Sequence, residues 1–231
     1  MFRRRKAAAG ERHRAPAPPV PGTEEPDRAE LPRPKGPWDA ADVELAEDDP
    51  NLVDLGGLLV RGHPGLEMRL QVDERTQAVA AVLLVSAEGA VELRPFAAPR
   101  NESIWDDIRR EIGAEASRRG GTATEQQGEF GPELRLAVPA QDAQGAHGTQ
   151  VSRVVGVSAP RWLLRGTFLG KPAQEPDPGG LLETAFREVV VNRGDGPMAP
   201  RSPIPLRMPP GAQQQTADEG AENGPGTPRT Q

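Results

Sequence analysis

Seventeen of the chain's 26 prolines fall in two stretches, residues 1–51 and 194–231, and that distribution confines any folded core to the middle. Proline lacks a backbone donor and is disfavoured in helix interiors and central strands. Neither stretch carries sustained apolar periodicity, so neither buries enough surface to offset the entropy of ordering it. The expectation is a disordered N-terminal tail over 1–51, a globular domain over 52–194, a proline-rich arm over 195–210 and a disordered C-terminal tail over 211–231. The middle section, about 140 residues, is an ordinary single-domain size with room for a sizeable core.

Charge subdivides the N-terminal stretch. Residues 1–35 carry nine Lys/Arg, residues 39–54 carry seven Asp/Glu and no base, and Gly36-Pro37-Trp38 joins them. Runs of this kind usually mark solvated tail. The net charge of −6 lacks the footprint of a dedicated duplex binder. With no cysteine there is no disulfide, thiolate metal site or thiol catalysis, and a reducing compartment fits. Arg3-Arg4-Arg5-Lys6 is followed by Ala7-Ala8-Ala9-Gly10-Glu11-Arg12, with no apolar segment behind it, so no export signal is expected. The longest apolar run, Ala78 to Val85, is far short of the ~20 residues that span a membrane. A cytoplasmic protein is expected.

Periodicity then assigns the middle. Leu66, Met68, Leu70 and Val72 alternate with Glu67, Arg69, Gln71 and Asp73, the pattern of a strand with one face buried. Ala78–Val85 is apolar on both faces, as a central strand would be, and Leu58–Val60 and Val91–Phe96 read as further strands. Ser103 is placed as a helix cap, and Ile104, Ile108, Ile112 and Ala116 fall on one helical face that Gly120-Gly121 ends. Strands follow at Leu134–Val138, Val151–Val157 and Trp162–Leu169. A second helix begins at Asp177-Pro178, carries Leu181, Leu182, Ala185, Phe186, Val189 and Val190 on one face, and stops at Gly194. Glu67–Val72 matches Glu133–Val138, and Val82–Ala87 matches Val154–Ala159. The fold class that follows is α+β: three to four strands then one helix, pseudo-duplicated, in a mostly antiparallel sheet with both helices on one face.

Several motifs together resemble a known family. They are Gly36-Pro37-Trp38-Asp39-Ala40, Val53-Asp54-Leu55-Gly56-Gly57-Leu58, and Ala97-Ala98-Pro99-Arg100 ahead of Trp105. To these add Pro160-Arg161-Trp162-Leu163-Leu164-Arg165-Gly166, Phe186-Arg187-Glu188-Val189-Val190-Val191 and Pro197-Met198-Ala199-Pro200-Arg201. Over roughly residues 36–210 the chain resembles the actinobacterial domain-of-unknown-function family 3710, which implies no activity.

Candidate chemistry is sparse. His13, His63 and His147 lack ligand-spaced neighbours, so no metal site is expected, and His63 beside Pro64-Gly65 reads as a turn residue. Asp106, Asp107 and Glu111 are interleaved with Arg109 and Arg110, a salt-bridged helix face rather than acid/base machinery. Gly56-Gly57 is not followed by a helix and reads as a bulge or close backbone approach, not a nucleotide loop. No catalytic set and no cofactor follow. Arg161, Trp162 and Arg165, with Trp105 and Trp38, are candidates either for an interaction surface or, for the tryptophans, for core. Pro200 and Arg201 belong to an arm able to dock on a partner or lie across its own domain. The function expected is a non-catalytic protein-interaction or regulatory module. The alternative is a nucleic-acid accessory protein using Arg3, Arg4, Arg5 and Lys6.

Overall fold

The computed structural model describes residues 36–45, 49–141 and 147–209. Residues 1–35 of the tail expected over 1–51, with them Arg3–Lys6, and the tail expected over 211–231 lie outside the described residues.

Two sheets form. The larger has seven strands, all antiparallel: β4 (Glu67–Val72), β5 (Val79–Ser86), β6 (Gly89–Ala97), β7 (Thr122–Gly128), β8 (Gly131–Gln141), β9 (His147–Ala159) and β10 (Trp162–Gly170). Their order is β4-β5-β6-β10-β9-β8-β7. The smaller has β1 (Trp38–Asp39), β2 (Leu52–Asp54), β3 (Leu58–Arg61) and β11 (Val190–Val191), in the order β1-β11-β3-β2. Only the β1–β11 pair is parallel. The described residues also form three helices: α1 (Trp105–Arg118), α2 (Lys171–Gln174) and α3 (Leu181–Arg187). The protein is therefore mostly β-sheet, antiparallel, with few helices.

Register decides what covers each face. Val82, Leu93, Gly166 and Val155 stand opposite one another across four strands, so they share a face. Leu83, Glu92, Thr167 and Val154 form the next row, on the other face. The first face packs against α3 and the small sheet, where Leu55, Leu58, Leu182, Phe186 and Val191 join Val82, Leu93 and Val155 in the main core. Phe186 sits edge-on to Phe130 and Phe168, with ring centroids 4.8 and 5.7 Å away. α1 packs on the second face, where Trp105 and Ala116 cluster with Leu134, Leu136, Val154 and Leu163. The expectation of both helices on one face is corrected: they lie on opposite faces, because alternation marks two faces without saying which element reaches which.

The same register does not support the residue matches on which the expected duplication rested. Matching β4 with β8, β5 with β9 and β6 with β10 requires an axis between antiparallel β6 and β10. A rotation exchanging those strands leaves each residue on its original face. The matched segments instead equate Val82 with Val154, and these point to opposite faces. The likeness is the shared alternation of amphipathic strands.

Boundaries shift too. The expected start at Leu52 is too late, since Trp38 N donates to Val189 O at 2.9 Å and Ala40 N to Val191 O at 3.0 Å. The expected second helix is cut to α3 because β-branched Val190 and Val191 pair with β3 and β1 instead. Strand β7, Thr-Ala-Thr-Glu-Gln-Gln-Gly, is an addition that its polar sequence conceals. Ser103 lies one residue before the helix cap, and its Oγ accepts from Trp105 N at 3.2 Å.

The arm lies across its own domain. Ile204 N donates to Pro95 O at 3.0 Å, Ala97 N to Ser202 O at 2.8 Å, and Arg207 N to Leu55 O at 2.9 Å. Ile204 enters the main core, and Gly57 is the close approach the sequence suggested, since a Cβ there would meet Ile204 Cγ2 at 2.6 Å.

Candidate functional site

Trp105 and Trp162 belong to the interior. Trp162 is fully buried and its Nε1 donates to Asp39 Oδ2 at 2.6 Å, tying β1 to the large sheet. Trp105 is buried over Gly156, and its Nε1 donates to Pro132 O at 2.7 Å. Trp38 is half-buried in β1. Pro200 is exposed on the arm, and Arg201 holds that arm to α1 by donating to Glu111 Oε1 at 2.7 Å and Asp107 Oδ2 at 3.3 Å.

Arg165 is placed differently. It stands on the α1 face of the large sheet, in register with Arg94 of β6. Helix α1 covers the β7–β9 half of that face. Over β4, β5, β6 and β10 the side chains Leu83, Val85, Thr167 and Leu169 stay half-buried. Arg94 donates to both oxygens of Glu92, Nε to Oε1 at 2.7 Å and Nη2 to Oε2 at 3.2 Å. Arg165 Nη2 is 3.8 Å from Glu92 Oε1, and its guanidinium lies 5.4 Å from the Phe96 ring centroid. Its Nε is buried without a hydrogen-bond partner. One carboxylate therefore serves two guanidinia, leaving one positive charge on a partly apolar surface. Burial holds the Arg165 pKa below its ordinary value, Arg94 adds to that, and Glu92 opposes it. At the rim, Arg69 and Glu67 form a two-bond pair at 2.8 and 2.9 Å. These groups can receive an acidic side chain; no nucleophile or unpaired carboxylate stands among them.

The opposite face hides a charge cluster that sequence reasoning missed. Arg153 of β9 is 1% exposed and donates to Pro172 O at 3.0 Å, Glu133 Oε2 at 3.4 Å and Glu183 Oε1 at 2.5 Å. Its guanidinium also lies 4.2 Å from the Phe168 ring centroid. Gln126 Nε2 donates to Glu133 Oε1 at 2.8 Å. Burial raises the Glu183 pKa, and Arg153 pulls against it. Glu133 alternates with Leu134 and so resembles a wet-face residue, but α2 and α3 close over that face. The available signal was Arg153 inside the apolar run Val151–Val157, where a charge needs a buried partner.

Among the described residues no helix is long and apolar enough to cross a membrane, and no group of three or more His, Asp or Glu is placed to hold a metal. No curated protein matches the chain. A model of proteins of unknown function, DUF3710, matches residues 36–215, which is most of the chain and carries the motifs assembled here from Trp38 to Arg201, so the protein belongs to that family.

Proposed function

We propose that this protein is a non-catalytic cytoplasmic interaction module in which the part of the large-sheet face left open by the described residues receives an acidic segment of a protein partner. The observation that carries the reading is the sharing of Glu92 by Arg94 and Arg165 above a half-buried apolar strip. Arginine on apolar surface is typical of interface anchors, and an entering carboxylate would complete the pairing that Glu92 leaves short. The arginines are fixed on strands and not on loops, so the surface is organised before binding.

The test is affinity capture from native cytoplasm, with and without nuclease, with the full chain as bait. Wild type is compared with the double variant Arg94→Glu/Arg165→Glu and with Arg118→Glu, a control at the exposed end of α1. A stoichiometric partner held by wild type and control but lost by the double variant supports the reading. Equal capture by the double variant removes the open face from consideration. Capture that vanishes with nuclease shifts the assignment to nucleic acid and the basic segment at Arg3–Lys6.

A further inference from the structure

A second arginine constellation lies at the corner where β10 begins, and it has a different character. Pro160 and Arg161 form the two-residue link between Ala159 and Trp162, which are paired across β9 and β10. Arg161 has φ 74°, at the turn position where glycine is favoured because a side chain there crowds the backbone. A turn that tolerates this conformation in an arginine raises the question of what the guanidinium does. Its backbone is held on both sides, with Arg161 N donating to Pro99 O at 3.2 Å and Ala98 N to Arg161 O at 2.9 Å.

The guanidinium of Arg161 reaches the loop that follows β11 and donates from Nη2 to Asp195 O at 3.2 Å. Arg193 uses the same loop: its Nη1 donates to Gly194 O at 3.0 Å and Gly196 O at 2.9 Å. Arg193 Nε is buried and has no hydrogen-bond partner. Neither guanidinium makes an ion pair with a carboxylate among the described residues, whereas Arg94, Arg109, Arg153, Arg187 and Arg201 all do. The two cations are close enough that Arg161 adds to the burial that lowers the Arg193 pKa, with Asp195 opposing it. Arg100, directly after Pro99, is exposed and likewise makes no ion pair among the described residues. Like charges gathered on one loop without carboxylate pairing, and with donors left over, are the complement of a multivalent anion.

We propose that Arg161 and Arg193 form an oxyanion site that takes the phosphate group of a small phosphorylated ligand. A phosphate monoester carries close to two negative charges and three acceptor oxygens, which suits two guanidinia better than a single carboxylate does. The loop carbonyls hold the side chains in place, leaving donors on each guanidinium for the ligand.

The experiment titrates the full chain with inorganic phosphate, a simple phosphate monoester and acetate at constant ionic strength, read by calorimetry and by the side-chain N–H resonances of arginine. The variants are Arg161→Gly, which suits the turn's positive φ, and Arg193→Gln; Arg118→Gln at the exposed end of α1 is the control. Phosphate or its ester should bind wild type and the control alike, and affinity should fall at least tenfold in both site variants. Tighter binding of the ester assigns the ligand an organic part that also contacts the protein; equal binding assigns the site to phosphate itself. The proposal is overturned if neither phosphate probe binds, if acetate binds as well as phosphate, or if Arg161→Gly stays folded and binds unchanged.

Discussion

Replacing Arg153 by methionine removes the single cation from a cluster with two buried carboxylates. Arg153, Glu133 and Glu183 are all within a few per cent of complete burial. Breaking a buried ion pair from one side costs about 3–5 kcal/mol, because the remaining charge keeps its desolvation penalty and loses its partner. Here two carboxylates are stranded together, and the bonds to Pro172 O and the Phe168 contact go as well. The loss is expected at the upper end of that range, a large part of the 5–15 kcal/mol or so that holds a typical domain.

The sign of the pH dependence follows from Glu183. Its folded pKa is raised, so the native state binds the proton more readily than the unfolded chain does. The corresponding stability is fully present below the unfolded value and is lost as pH rises through the folded value. Removing Arg153 deletes the group that pulls the folded pKa back down, so the loss with rising pH steepens. Urea unfolding followed by tryptophan fluorescence at several pH values between 5 and 7 should show the deficit of Arg153→Met growing with pH. Glu183→Gln should cost less than Arg153→Met at pH 7 and should flatten the profile. Changing all three residues together to apolar ones should cost less than Arg153→Met alone, since no charge is then left buried. A deficit for Arg153→Met below about 1 kcal/mol, or one that does not grow with pH, would refute the reasoning.

Two further outcomes test the packing around the tryptophans. Gly156→Ala places a methyl group against the Trp105 indole, which cannot move away without losing its bond to Pro132 O; a loss of about 1–3 kcal/mol and an altered near-ultraviolet circular dichroism signal are expected. Trp162→Phe leaves the carboxylate of Asp39 without its indole donor, so a loss of about 1.5–3 kcal/mol is expected, with faster hydrogen exchange at the Trp38 and Ala40 amides that tie β1 to β11.

Much of the secondary structure was legible because side-chain period is a local property. The alternation from Leu66 to Val72 marked β4, the apolar run from Ala78 marked β5, and the spacing of Ile104, Ile108, Ile112 and Ala116 marked the buried stripe of α1. Strand β7 was not legible, since Thr122–Gly128 is an edge strand whose few apolar contacts give it no strong pattern. Of the residues singled out as a surface, Trp105 and Trp162 are interior, and an amino-acid type that serves both cores and interfaces could not tell the two apart. Arg161 and Arg165 were singled out in the sequence as side chains to follow. Their companions Arg193 and Arg94, 32 and 71 positions away along the chain, were not.

By itself the sequence determined that this chain forms antiparallel strands with a helix between two groups of them, and it narrowed its glycine pair to a bulge or a close approach. Only the tertiary structure decided which face each helix covers, that Trp38 joins the fold and Ile204 its core, that Arg153 and Glu133 are fully buried while Arg94 and Arg165 are only partly so, and that Arg161 and Arg193 donate to the same loop. The physical reason is that alternation divides a strand into two sides within a few residues. Whether a side meets water, another sheet or another charge depends on strands joined across most of the chain, and no local pattern carries that information.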